Sequence, residues 1–218
     1  MYKRQPNPLD PVTVSFRSNG VTSTATITYT TVGLKVIDVT ASTSVGEVTE
    51  SFTIAVSARS VSISSFQTTT FRYLEFNGSG IRVDVPGQSI AGQIQLDYLP
   101  IPGVNAAGET GFTGKAFELR AYQNQRFLSS YSFAKPVEVT LTYGINELGG
   151  HGQSLLRMRR WQSDGQGSGQ WVDVAEECGT SSTVDFSPER RQVTTQACLL
   201  GQFALFGATA SLYLPLIQ

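Results

Sequence analysis

Apolar and polar residues take turns along much of this chain, with a period of two. "VTVSF" (Val12 to Phe16) alternates in this way. "SVGEVTESFTIAV" sets Val48, Phe52, Ile54 and Val56 on one side and Glu47, Thr49, Ser51 and Thr53 on the other. In "IRVDV" Ile81, Val83 and Val85 alternate with Arg82 and Asp84, and "VEVTLTYG" repeats the pattern with Val137, Val139, Leu141 and Tyr143. Successive side chains of a strand point to opposite faces. Such runs, parted by turns bearing Gly, Asn and Asp, therefore mark half-buried antiparallel strands. No stretch keeps a helical period for long enough to compete. "QSDGQGSGQ" (Gln162 to Gln170), between "LLRMRRW" and "WVDVAEE", reads as a mobile hairpin tip. The pattern predicts an all-β, antiparallel chain.

Composition narrows this picture. At 218 residues and 40% hydrophobic, the chain is long and apolar enough to bury a core in one or two domains. Only 15% of residues are charged and the formal net charge is -1, so no global field draws nucleic acid or an anionic membrane. No apolar run reaches the length of a transmembrane segment. The Ser-rich "SARSVSISS" (Ser57 to Ser65) reads as a connector between two strand-rich blocks.

Within the first block, residues 6–60, "ATITYTTVGLKVIDVTASTSVGEVTESFTIAV" places Tyr29, Gly33, Val36, Val39, Gly46 and Val56 in sequence. This resembles the second half of a PKD or immunoglobulin-like repeat, which implies a partial β-domain short of strands. In the second block "VDVPGQSIAGQIQLDY", "FAKPVEVTLTYG", "LLRMRRW", "WVDV" and "GQFALFG" follow in order. Residues 66–207 thereby resemble a ZU5-like β-sandwich, a module of bacterial surface proteins built from serial β-domains. The opening "YKRQ" (Tyr2 to Gln5) is what one reading frame of a common transposon-derived sequencing adaptor encodes, with an upstream GTG read as Met1. Residues 1–5 are accordingly expected to be an assembly artefact that packs against nothing, with the natural chain and its signal peptide lying upstream. A genuine basic N-terminus bearing Lys3 and Arg4 is the alternative. At the other end, residues 208–218 ("ATASLYLPLIQ") form an apolar tail, read either as a last edge strand or as a sorting or attachment segment.

Two cysteines, Cys178 and Cys198, sit near the ends of strand-like segments in the C-terminal block. "STVDF" between them has room to form a strand that brings the second alongside the first. A disulfide is expected, contributing about 3 kcal/mol by loop entropy and implying an oxidising compartment. Two buried free thiols are the alternative.

Candidate chemistry is sparse. His151, the only histidine, lies in the Gly-rich "LGGHGQS", and no nucleophile motif or phosphate-binding loop accompanies it. Asp84, Asp97, Asp173 and Asp185 lack calcium-loop spacing. Asn77-Gly78-Ser79 is formally a glycosylation acceptor but equally a tight turn. On one strand Arg157, Arg159 and Trp161 share a face, next to Arg160, and Arg190 and Arg191 follow nearby. An anionic ligand could sit there, or Glu176, Glu177 and Glu189 could pair with the arginines. Trp161, Trp171, Tyr122 and Tyr131 could make a sugar-stacking platform or fill the core. Some ZU5-related domains cleave themselves before their last strands. Here Cys198 and Leu200 fall where the His-Phe-Ser-like motif would lie, and leucine offers no attacking hydroxyl. This chain is therefore expected to stay uncleaved.

These readings imply a non-catalytic, extracellular structural or adhesive module of a larger surface or secreted bacterial protein. It needs no cofactor and no metal. Its partners would be other modules of the same polypeptide and a cell-surface polysaccharide or protein, not nucleic acid. The alternative is a carbohydrate-binding module attached to an upstream enzyme, using Trp161, Trp171, Tyr122, Arg157 and Arg159.

Overall fold

The computed structural model describes residues 2–3, 12–18, 23–29, 32–43, 45–75, 78–101, 106, 108–148, 151, 153–166, 168–185 and 190–207. The apolar tail after Gly207, Glu189 and Asn77 lie outside them. The chain divides into two compact units, residues 1–58 and 59–218.

In the first unit, β1 (Tyr2–Lys3), β4 (Gly33–Thr43) and β5 (Gly46–Val56) form one antiparallel sheet in the order β1-β4-β5. Between them in sequence, β2 (Val12–Ser18) and β3 (Ser23–Tyr29) pair as a separate ribbon. β4 and β5 run side by side from Gly33–Val56 to Thr43–Gly46, and Val48, Phe52 and Ile54 of β5 are exposed. Tyr2 and Lys3 pair with Ala41 and Thr40, so the opening segment does make contacts, contrary to expectation. Ladder hydrogen bonds use the backbone, which any extended segment can offer whatever its side chains.

The second unit is an antiparallel β-sandwich. Its strands are β6 (Arg59–Ser64), β7 (Thr69–Leu74), β8 (Gly80–Val85), β9 (Gln93–Ile101), β10 (Phe112–Gln123), β11 (Arg126–Leu128), β12 (Ser132–Thr142), β13 (Arg157–Ser163), β14 (Gly169–Asp173), β15 (Thr183–Asp185), β16 (Gln192–Leu199) and β17 (Gly201–Phe206). One sheet has seven strands, ordered β14-β13-β17-β10-β9-β6 with β11 added beside β10. The other has five, ordered β15-β16-β12-β8-β7. The boundary between the two units falls within the Ser-rich stretch read as a connector, after residue 58. From Arg59 to Ser64, however, that stretch is the edge strand β6, laid along β9 from Arg59–Tyr98 to Ser64–Gln93. Val61 and Ile63 alternate there with serines, and this period-two signal outweighs the flexibility that serine suggests.

The alternation seen in the sequence is what fills the core. Val83, Val85, Val137, Val139 and Leu141 are fully buried on the five-stranded sheet, facing Leu96, Leu119, Phe203 and Leu205 of the other. Aromatic rings cross the gap: Tyr98 of β9 lies 6.4 Å from Phe71 and 5.0 Å from Tyr73 of β7, measured between ring centroids. Phe117 and Phe203 stack at 5.2 Å with planes 14° apart. "STVDF" does supply a strand, β15, paired with β16. The hairpin tip after β13 closes on Asp164, whose Oδ1 accepts from Gln166 N (2.8 Å) and Ser168 N (3.0 Å).

Candidate functional site

The outer face of the seven-stranded sheet carries the aromatic and arginine residues singled out above. On β13, Met158 and Arg160 turn inward and are buried, leaving Arg157, Arg159 and Trp161 on the opposite face. Register then sets Trp161 directly across from Trp171 of β14, Arg159 across from Asp173, and Arg157 across from Phe206 of β17.

The two indoles meet at 5.4 Å with their planes 58° apart, and both are half-buried. Trp161 folds over Gly169, where an added Cβ would come within 2.7 Å of the ring. Trp171 continues the chain of rings to Phe206 (5.5 Å), which meets Phe112 at 5.9 Å. Phe206 is buried with Ala106, Ala116 and Ala204, and Trp171 packs against that small cluster. The tryptophans therefore form a tilted corner and not a flat row. Tyr122 lies elsewhere, toward the other end of β10, opposite Gln95 and Phe127 and 5.6 Å from the Phe127 ring. Tyr131 pairs edge-on with Phe133 at 5.3 Å.

Beside Trp171 a cleft of about 680 Å³ is lined by Arg157, Arg159, Gln162, Gln170, Asp173, Glu176 and Glu177. Most of its charges are already engaged. Asp173 caps the single turn of helix α1 (Val174–Glu177), its Oδ1 accepting from Ala175 N at 2.9 Å and Glu176 N at 3.4 Å. Arg157 Nε approaches the same carboxylate at 3.9 Å. Glu177 accepts from Arg160 Nε at 2.8 Å and also from Arg160 Nη2. Arg159 differs. Its guanidinium carbon sits 4.8 Å from the Phe206 centroid, and among the described residues it forms no hydrogen bond or ion pair.

Cys178 is the C-cap of α1 and is bonded to Cys198 of β16, with Cα atoms 5.7 Å apart. The strand end expected before Cys178 is thus a helical turn. Sequence reasoning missed it, although Asp173 followed three residues later by Glu176 is a capping signal. One turn is simply too short to show a period. With Arg160 binding its Glu177 and the disulfide its C-cap, α1 is fastened to both sheets.

A second polar cluster escaped the sequence altogether. Lys115, at a register shift in β10, donates to Glu75 Oε2 (2.9 Å), Glu147 Oε1 (3.2 Å) and Ser79 Oγ (3.1 Å). Gly144 N in turn donates to Glu147 Oε2 at 2.7 Å. Glu75 follows β7 and Lys115 belongs to β10, so this lysine also ties the two sheets. Burial, with Glu75 alongside, pushes the Tyr98 phenol well above its ordinary range. His151 is half-buried, its Nε2 3.2 Å from the Phe112 carbonyl oxygen. Leu200 is buried between β16 and β17 and has no hydroxyl to offer.

Among the described residues no group of three or more His, Cys, Asp or Glu could hold a metal ion, and no helix is long and apolar enough to cross a membrane. No protein-family model matches the chain, and no curated protein matches it either.

Proposed function

We propose that this chain is a non-catalytic extracellular module, structural and adhesive, of a larger bacterial surface or secreted protein. The Cys178–Cys198 bond carries the reading, because such bonds persist in oxidising compartments. Further support comes from the way Lys115, Arg160 and the disulfide fasten the sandwich from sheet to sheet or through α1. Reinforcement of that kind suits a domain that spaces or holds, and the resemblance of residues 66–207 to ZU5-like modules points the same way. The purified chain should carry the bond in its exported form and be retained on bacterial cells or cell-wall polysaccharide. Free thiols in exported protein, together with no retention on any such surface, would sink the reading.

A carbohydrate-binding module attached to an enzyme is the second reading. The cleft beside Trp171 favours it. The tilt between the indoles denies it a continuous two-ring platform and leaves room for a single sugar ring on Trp171.

A further inference from the structure

Arg159, like Arg59, Arg72, Arg126 and Arg191, meets no carboxylate among the described residues, but of these five it alone lies over an aromatic ring. Arg82 grips Asp84 at 2.6 Å, Arg120 grips Glu118 at 2.8 Å, and Arg160 holds Glu177. In each, the guanidinium is matched by a carboxylate of the protein. Arg159 is half-buried and held by its face against Phe206, yet its N–H edge finds no acceptor among the described residues. A guanidinium offers five donors in a fixed fork that suits a carboxylate. Stacking has already fixed the orientation of this one, so binding an anion would cost little further ordering. The cleft beside it holds the other groups a sugar acid needs. Trp171 lines the cleft with part of an indole, and exposed Glu176 can accept from hydroxyls, while Gln162 and Gln170 border it from the face of Met158 and Arg160. The cleft's other carboxylates are directed elsewhere, Glu177 to Arg160 and Asp173 to the N-terminus of α1 and Arg157.

We infer that the cleft along β13 and β14 binds a uronate residue of an acidic polysaccharide, with its carboxylate on Arg159 and its ring against Trp171. An acidic peptide would satisfy the arginine but leaves the indole uncovered. The inference rests on the adhesive reading and names its partner.

Trp161 and Trp171 are the only tryptophans of the chain, so intrinsic emission reports on this corner alone. The full chain is titrated with an oligogalacturonate, its methyl ester, a neutral gluco-oligosaccharide and an oligoglutamate peptide. A saturable emission change is expected with the oligogalacturonate only, weakening as salt rises. Losing a charge-assisted pair should weaken binding about tenfold in Arg159→Gln, with Arg159→Lys in between. Both variants should melt within a few degrees of the parent, which separates lost binding from lost fold. Equal response to the ester and the acid, or an unaltered titration in Arg159→Gln, overturns the inference. So does a peptide that binds as well as the sugar. Retention of the same variant on acidic polysaccharide distinguishes the two failures. If Arg159→Gln is retained like the parent, adhesion stands and this cleft is not its seat. If neither is retained, both readings fall.

Discussion

The β4–β5 hairpin of the first unit and the β8–β12 pair of the second carry the same alternating pattern, and burial divides them. Val83 and Val139 are 0% exposed, whereas Val48 is 64% and Phe52 55% exposed. Period-two spacing decides that a segment is a strand and which side chains share a face. It does not supply the layer that covers the face. In the second unit a second sheet meets the first, and aromatic rings from both interlock around Tyr98. In the first, Val36 and Val39 of β4 remain exposed along with the apolar residues of β5. Equal patterns thus differ in energetic meaning, because apolar area stabilises only when it leaves water.

That contrast can be tested by substitution. Phe117→Ala opens a hole where Phe117 meets Tyr98 and Phe203, and should cost about 3–5 kcal/mol. Tryptophan emission during urea unfolding would follow it, since both tryptophans belong to the second unit. Reducing the Cys178–Cys198 bond, which closes a loop of sequence separation 20, should remove about 3 kcal/mol from the same transition. An unshifted urea midpoint after verified reduction would contradict this.

Alkaline pH probes the buried rings themselves. Burial raises the phenols of Tyr98, Tyr131 and Tyr143 above their ordinary value of 10.0. Above that pH the unfolded chain has released these protons while the folded sandwich still holds them. Stability should therefore be complete below about pH 10 and fall as pH rises beyond it. Urea midpoints that stay level to about pH 11 would show that these phenols reach solvent. The smallest effect belongs to the first unit. Phe52→Ala removes a ring that is already wet and should change its stability by no more than about 0.5 kcal/mol. A loss comparable to that of Phe117→Ala would mean that something covers β5 in solution.

Much of the architecture was legible because alternation survives in β8 and in the second half of β12, whereas β17 is a continuous apolar run from Phe203 to Phe206. The partnership of Cys178 with Cys198 was legible too, since the strand between them could be read from "STVDF". Other features were not. The serines of β6 resemble a linker by composition, and only its pairing with β9 shows otherwise. Helix α1 is one turn long, and Lys115, Glu75 and Glu147 lie far apart in sequence and meet only through the topology. At the candidate site, the common face of Arg157, Arg159 and Trp161 followed from period two alone. The tilt of the indoles and the remoteness of Tyr122 did not, because both depend on which strands become neighbours.

The place of β17 has a consequence for how the second unit comes into being. The last strand among the described residues to be synthesised lies between β13 and β10, near the middle of the seven-stranded sheet. Until β17 is made, β13 and β14 have no neighbour in their own sheet, and the ring of Phe117 lacks its stacking partner. β6, β9 and β10 can pair early, but β13 and β14 attach to them only through β17. The second unit thus lacks a closed seven-stranded sheet until β17 has been made, an open condition in which a polypeptide can still be threaded through a narrow passage before it folds.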